Sequence, residues 1–350
     1  MNQKKLNLVF FILTVMKKLI ILFALVIYSL DSKAQSQDAH QLHETAKTFM
    51  KQGDFANAIL VLTRALEDQP GNIEMIKDLA LNYYLQKENV KALEVIKPLI
   101  EGNAPDDQCF QIAGNIYKAL SQAKECEKIY KKGIKQFPQS GPLYNEYGEL
   151  LWSLEEASAI KQWEKGIEMD AGYSGNYYNA AKYYYLTGDK IWSILYGEIF
   201  LNIETLTRRT AEIKNILLDS YKKLFVETDI FKNTKDRNNF EQAMLQTLYK
   251  QNIIASTGIN PESLTMIRTR FILDWFNGFS AKFPFRLFEH HLYLLKEGMF
   301  DVYNQWIFGA AQNLVAYQTW TETHALEHNE FSKFQKGRIF KIPVQQYYHK

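Results

Sequence analysis

The chain has 350 residues, of which 47% are hydrophobic and 14% aromatic, and its formal net charge is +2. This composition supplies enough apolar surface for a large core and excludes an intrinsically disordered chain. The weak net charge also argues against a nucleic-acid-binding protein, since such proteins usually present a strongly basic face.

The first 34 residues have the features of a secretory signal peptide. Lys17-Lys18 precede an almost wholly apolar run from Leu19 to Leu30, and small residues follow at Ser32 and Ala34. We therefore predict cleavage between Ala34 and Gln35. The segment holds five of the 41 basic residues and one of the 39 acidic residues, so the remaining chain carries a net charge of −2.

Residues 1–15 leave the true start of the protein open. They add a second apolar run before the lysine pair, and Met16 heads a complete signal by itself, so we interpret Met16 as the start. The alternative is an uncleaved membrane anchor, although a bilayer span needs about 20 apolar residues. No cysteine directly follows the predicted cleavage site, so a lipid-anchored lipoprotein is not indicated. We expect an exported protein of the periplasm or cell envelope, with no stable membrane span after cleavage.

From residue 39 onward, three series of residues share one period, and each series has three steps of 34 residues and one of 33. Small residues form the first series: Ala46, Ala80, Gly114, Gly148 and Ala181. Mostly aromatic residues form the second: Phe49, Tyr83, Tyr117, Leu151 and Tyr184. Small residues again form the third: Ala58, Ala92, Cys126, Ala159 and Ser193. Three series in phase predict a solenoid of identical supersecondary units.

Each unit is predicted to be a hairpin of two helices. In the first unit, Leu42, Ala46 and Phe49 share one helical face, Gly53-Asp54 interrupts the pattern, and Pro70 ends the second helix. Small residues at the facing positions let the two backbones approach closely. The step of 33 means that the fourth unit is one residue shorter than the others. We predict that the missing residue falls in the turn of this unit, at residues 153–156.

This pattern resembles the tetratricopeptide repeat (TPR). In the third unit the matching residues are Phe110, Ala113-Gly114, Tyr117, Cys126, Tyr130, Gly133 and Pro138. The resemblance covers residues 39–204 as five repeats. It implies an all-α, TPR-type α-solenoid, a right-handed superhelix of helical hairpins, with an all-helical C-terminal cap region over residues 205–350. The alternative is an ordinary helical bundle whose small residues align by chance.

The resemblance also implies a binding surface, because the first helix of each unit lines a concave groove in which the family most often meets its ligands. The matching positions mix amides, charges and aromatic rings, which suits an extended peptide. They are Lys47, Tyr84, Asn115, Lys118, Asn145, Glu149, Trp152, Tyr178, Lys182 and Tyr185. Plain solvation is the alternative for the charged members, and packing against the next unit is the alternative for Tyr84 and Tyr185.

One comparison narrows the kind of peptide that the groove is expected to bind. Chaperone-binding relatives clamp a peptide carboxylate with a particular Lys and Asn set, whereas the matching positions here hold His43, Lys47 and Asp78, so a chaperone-tail receptor is not predicted.

The two cysteines of the chain are not expected to form a disulfide. Cys109 and Cys126 begin antiparallel helices. They should therefore lie about 12 Å apart, beyond the roughly 7 Å limit for a disulfide.

Beyond residue 205 the period fades while helical signals continue. Asn260-Pro261 predicts a helix start, and a degenerate TPR hairpin is predicted around Gly298, with His290-His291 where small residues belong. The aromatic residues of this region are expected to cap the solenoid, the alternative being an exposed docking patch. They are Phe271, Trp275, Phe276, Phe279, Phe283, Phe285, Trp306, Phe308, Trp320, Phe331, Phe334, Phe340, Tyr347 and Tyr348.

One string has a catalytic precedent. His324, Glu327 and His328 fit H-x-x-E-H, the motif of the inverted zinc peptidases, and on one helix both imidazoles would share a face. Those enzymes take a third ligand well downstream, which the remaining 22 residues do not offer, so a solvated polar face is the alternative interpretation.

We therefore predict a non-enzymatic scaffold without cofactors that binds a protein or peptide through its groove. An envelope-complex adaptor that docks through its aromatic C-terminal third is the alternative, and a zinc hydrolase is a remote one.

Overall fold

A computed structural model describes residues 16, 38–102, 106–227, 231 and 234–349, and it is helical with no strand among them. The predicted fold class, all-α with consecutive helical hairpins, is confirmed. The predicted signal peptide and its cleavage site lie outside the described residues, apart from Met16. The chain divides into two compact units, residues 1–129 and 130–350. The extent of the repeat array at 39–204 stays a prediction.

The first unit consists of successive antiparallel helices. They are α1 over residues 38–52, α2 Phe55–Asp68, α3 Ile73–Leu85, α4 Asn89–Glu101, α5 Asp107–Ala119 and the beginning of α6 Ala123–Gln136. Ala46, Leu62 and Met75 belong to one buried core cluster, which joins α1, α2 and α3. Each helix therefore buries its apolar face against its neighbours in the chain, as expected of a repeat array.

The second unit continues the hairpins and adds an irregular helical region. Its helices are α7 Gly141–Ser153, α8 Ala159–Met169, α9 Ser174–Thr187, α10 Lys190–Ile203, α11 Arg208–Val226, α12 Asn239–Tyr249, α13 Asn252–Ala255, α14 Pro261–Gly278, α15 Arg286–Lys296, α16 Phe300–Asn304, α17 Ala310–Gln312, α18 Leu314–Thr323 and α19 Ala325–Lys336. A π-helical turn, Gln305–Gly309, joins α16 to α17. Every residue of α10 from Lys190 to Asn202 is buried. This helix is enclosed by α9, by α11 and by the C-terminal tail, whose His349 ring lies 4.6 Å from that of Trp192.

The small residues that define the repeat occupy buried positions, as predicted. All ten members of the two small-residue series are buried. A Cβ atom added at Gly148 would lie 2.4 Å from Trp163 Nε1, so the α7–α8 contact requires glycine there. Cys109 and Cys126 are both buried free thiols, and Cys126 Sγ lies 3.2 Å from the Gly114 carbonyl oxygen.

The turn inside each hairpin follows the same period. One residue per hairpin has a positive φ: Gly53, Lys87, Ser121, Glu155 and Gly188. In four of these turns the next N–H donates to the carbonyl of the aromatic-series residue, as from Glu88 to Tyr83 at 2.9 Å. The predicted position of the missing residue needs correction. It falls between Glu156 and Ala159, because the Glu156 N–H still donates to the Leu151 carbonyl as in the first three turns, whereas α8 begins at Ala159 itself and α4 begins three residues before the equivalent Ala92.

Candidate protein-binding surface

Four predicted binding residues lie on first helices of the first unit, and all are half-buried: Lys47, Tyr84, Asn115 and Lys118. Lys47 Nζ lies 2.8 Å from Glu44 Oε1 on the same helix, and that hydrogen bond raises the pKa of the lysine. The positions matching the chaperone clamp are also engaged, because His43 Nε2 lies 2.7 Å from Asp78 Oδ2. The His43–Asp78 contact therefore joins the first repeat to the second.

The predicted residues of the second unit begin with an amide ladder between α7 and α9. Asn145 is 3% exposed, and its Nδ2 donates to Glu149 Oε1 at 2.9 Å. Asn179 Nδ2 lies 2.9 Å from Asn145 Oδ1 and 3.1 Å from Glu149 Oε1. Glu149 remains exposed, so it is the member of this ladder that solvent or a partner can reach.

Tyr178 and Lys182 of α9 share an acidic partner on α11. The Tyr178 hydroxyl donates to Glu212, and Lys182 Nζ lies 2.8 Å from Glu212 Oε1 and 3.1 Å from the Tyr178 oxygen. Burial opposes the lysine charge, but these two hydrogen bonds outweigh it and raise the pKa of Lys182. Arg209 lies over the Tyr178 ring at 4.9 Å, so this ring is held between two cations.

Tyr185 repeats this arrangement about two helical turns further along. Its hydroxyl donates to Asp219 Oδ2 at 2.7 Å, and Lys223 Nζ lies 2.6 Å from the same carboxylate oxygen. Between these pairs α9 and α11 form an open pocket of about 480 Å³. Its lining residues are Lys182, Tyr185, Leu186, Glu212, Asn215, Ile216 and Asp219. We call this the α9–α11 pocket.

Trp152 belongs to an aromatic cluster at the end of α7. Its ring lies 6.2 Å from that of Trp163 and 5.3 Å from that of Tyr183, in an edge-on contact with the latter. The side chain is nevertheless 41% exposed, so one edge of the indole is open to a partner.

Sequence reasoning missed Asn179, Glu212 and Asp219, although the period was a usable signal. Asn145 bonds Asn179, Tyr178 bonds Glu212, and Tyr185 bonds Asp219, each at a separation of 34 residues. The helix α11 thus stands in the register of a further first helix. It escaped notice because Asn215 occupies the position of the small residue.

The aromatic residues of the C-terminal third are interior. All fourteen are buried or half-buried, and Trp275, Phe308 and Phe331 have essentially no exposed surface. This favours a packing role over the alternative of an exposed docking patch.

The H-x-x-E-H string does not lie on one helix, the arrangement that a shared imidazole face would require. His324 falls at the break between α18 and α19, with φ −116° and ψ 37°, so its ring does not share a helical face with that of His328. The His324 ring stacks on Trp320 at 4.5 Å, and its Nδ1 lies 3.0 Å from the Trp320 carbonyl oxygen. Within the described part of the chain, no group of three or more His, Cys, Asp or Glu side chains could hold a metal ion.

The described helices also include none that is long and apolar enough to cross a bilayer.

Comparison with known proteins identifies the repeat. A family model described as a tetratricopeptide repeat matches residues 49–116. Similar solved structures include a thermophilic TPR protein of Thermus thermophilus, with 16% identity over 51% of this chain and 99% of that chain and a TM-score of 0.45. Pseudomonas aeruginosa pilF has 14% identity over 56% and 88%, with a TM-score of 0.47. A tetratricopeptide repeat protein of Parabacteroides merdae has 16% identity over 73% and 97%, with a TM-score of 0.41. No curated protein matches.

Proposed function

We propose, on the premise that this chain is a tetratricopeptide repeat protein, that it is a non-enzymatic scaffold of the bacterial cell envelope which binds a protein or peptide partner through its first-helix surface. The observation that carries the proposal is the α9–α11 pocket, whose half-exposed Tyr185 and charged side chains stand on the first helices of successive repeats.

The chemistry of this pocket suits a polar, extended peptide. Tyr178 and Tyr185 are held in place by carboxylates and cations of the chain itself, so little side-chain freedom is lost when a partner binds. Of the lining carboxylates, Glu212 pairs with Lys182 and Asp219 pairs with Lys223 beside the pocket, so the surface offers both donors and acceptors without a strong net charge. Such a surface favours specific hydrogen bonding over non-specific attraction.

Export rests on the N-terminal features of the sequence. N-terminal sequencing of the protein purified from a fractionated bacterial host should find Gln35 as the first residue in the envelope or periplasmic fraction. Recovery of the full-length chain from the cytoplasm would reject the envelope location.

The binding surface is tested by capture with matched charge variants. Immobilised protein lacking residues 1–34 is incubated with envelope extract, and Lys182→Ala/Glu212→Ala should lose the captured partner. Lys165→Ala/Glu168→Ala is the control, because this exposed pair, 2.9 Å apart, lies on the second helix α8. Equal capture by the two variants would reject the α9–α11 pocket as the binding site.

A further inference from the structure

A second pocket in this unit lies away from the first-helix surface and is lined by three cationic side chains. It has a volume of about 460 Å³ and lies between the loop that follows α10 and the segment that follows α19. Its charged lining residues are Lys336, Arg338 and Lys341. We call it the Arg338 pocket. Among the described residues no carboxylate lies within ion-pair distance of any of these three side chains.

The guanidinium of Arg338 is held in place but not neutralised. It stacks on Phe334 and Phe340 at 5.4 and 5.6 Å, and its Nη2 donates to Asn202 Oδ1. Its Nε–H is buried without an acceptor, and so is the side-chain nitrogen of Gln335. Burial, together with the charge of Arg286, lowers the pKa of Arg338. Arg338 nevertheless lines the pocket, so its stacked guanidinium presents a positive charge that suits an oxygen-rich ligand.

The acid nearest in sequence to this pocket is already satisfied. Glu204 follows α10, and its two carboxylate oxygens accept hydrogen bonds from Arg209, Thr207 and Ser174. Since it is engaged by these three side chains, it does not serve as the counter-ion of Arg338. The charge of Arg338 is therefore left for a ligand to meet.

The rim of the Arg338 pocket is apolar. Leu206 is 76% exposed and Ile339 is 95% exposed, and both line the pocket. A ligand that satisfies both features carries an anionic oxygen group next to an apolar body. A pocket of this size takes one or two residues of a peptide, whereas attraction to a membrane surface requires a broader cluster of basic residues.

We propose that the Arg338 pocket binds the terminal carboxylate of a peptide whose last side chain is apolar. The carboxylate accepts hydrogen bonds from the Arg338 guanidinium, Lys336 and Lys341 add attraction, and the apolar side chain lies against Leu206 and Ile339. The site is independent of the α9–α11 pocket.

The test uses N-acetyl-leucine as the smallest ligand with both features and N-acetyl-leucinamide as its uncharged match. Binding to the protein lacking residues 1–34 is followed through the ¹⁵Nε resonances of its arginine side chains. N-acetyl-leucine should shift one arginine resonance saturably in the millimolar range, and this resonance should vanish in Arg338→Gln. The amide should bind about tenfold more weakly, because it lacks the charge that strengthens these hydrogen bonds.

A second set of variants keeps the stacked Arg338 in place, so that a loss of binding is not caused by misfolding. Lys336→Gln/Lys341→Gln should weaken N-acetyl-leucine binding about fivefold, since both side chains are exposed and act through charge. Lys296→Gln/Lys333→Gln removes the same charge from exposed positions outside the pocket and should bind like the unaltered protein. Lys182→Ala/Glu212→Ala should also bind normally, which separates this proposal from the proposed function.

Three results would overturn the assignment. Equal affinity for the acid and the amide would remove the carboxylate from recognition. The absence of a saturable shift would remove the site. Binding to phosphatidylglycerol vesicles, or to inorganic phosphate, that is lost in Lys336→Gln/Lys341→Gln while N-acetyl-leucine gives no shift would assign the pocket to a phosphate group instead.

Discussion

The hairpin α1–α2 and the hairpin α15–α16 share one turn but differ in their interior. In the first, Ala46 lies seven residues before the left-handed Gly53 and Ala58 lies five residues after it, and both alanines are fully buried. In the second, Gly298 is again left-handed, and the Met299 N–H donates to the Leu294 carbonyl at 2.8 Å. A hairpin turn is therefore conserved in geometry even where the residues that close the helices on each other change.

The residues at the two packing positions of the later hairpin are His291 and Tyr303. Both bond the same carboxylate oxygen of Glu198 on α10, at 2.7 and 2.8 Å, and Arg268 of α14 pairs with this carboxylate as well. Burial opposes the charge of Glu198, but Arg268 and His291 outweigh it and lower the pKa of the carboxyl to about 2. Small residues let two helices close on each other, whereas large polar residues admit a third element between them.

Among these predictions, Glu198→Gln should cause the largest loss of stability, and it tests the polar interior of the later hairpin. It keeps the shape of the side chain but leaves the Arg268 charge, 2% exposed, without its counter-ion. We expect a loss of about 3–5 kcal/mol in the free energy of unfolding, because breaking a buried pair strands the remaining charge. Urea unfolding followed by tryptophan fluorescence measures it. The surface control Glu168→Gln should change stability by less than about 1 kcal/mol, and a similarly small effect for Glu198→Gln would contradict the comparison.

Gly148→Ala should cause the next largest loss of stability, and it tests the contact that small residues make between the two helices of a repeat. The added Cβ would lie 2.4 Å from the indole nitrogen of Trp163, a side chain that is 2% exposed. We expect a loss of about 1–3 kcal/mol from overpacking, measured by the same unfolding experiment. Gly71→Ala is the control, since no atom lies within 4 Å of the added carbon. Equal stability of the two variants would show that the hairpin tolerates a larger residue at this position.

Mild acid should give the smallest effect and should act on the C-terminal region. His290 is 4% exposed, with its Nε2 unpaired, and burial together with the charge of Arg338 lowers its pKa to about 2. Below about pH 6.5 the unfolded chain binds a proton that the folded protein does not accept. Stability is therefore present above that pH and is lost as the pH falls, by about 1 kcal/mol between pH 6.5 and 5.5.

Thermal unfolding of the unaltered protein and of His290→Leu, measured across this pH range, tests whether stability falls as the pH falls. The variant should lose less stability than the unaltered protein as the pH falls, while His40→Gln, a change at an exposed position, should follow the unaltered protein. A parallel decline in all three proteins would mean that His290 does not titrate in the way its burial requires.

Much of the repeat fold was predictable because its information is local. Ala46 and Ala58 face each other across one turn, and their size and spacing are visible within twenty residues of sequence. The left-handed residues were predictable only in part, because glycine marks this conformation at Gly53 and Gly188, whereas lysine, serine and glutamate adopt it at Lys87, Ser121 and Glu155. Nothing in those three residue types signals a positive φ.

The candidate site was also predictable from the sequence only in part. The sequence by itself determined which faces of α7 and α9 carry Asn145, Tyr178 and Tyr185, because helical periodicity sets the face of every residue. The 34-residue period relates Glu212 and Asp219 to Tyr178 and Tyr185, but only the tertiary structure decided that Glu198 meets Arg268 and Tyr303 from 70 and 105 residues away. Contacts between distant elements depend on how whole helices pack, and no period in the sequence records that.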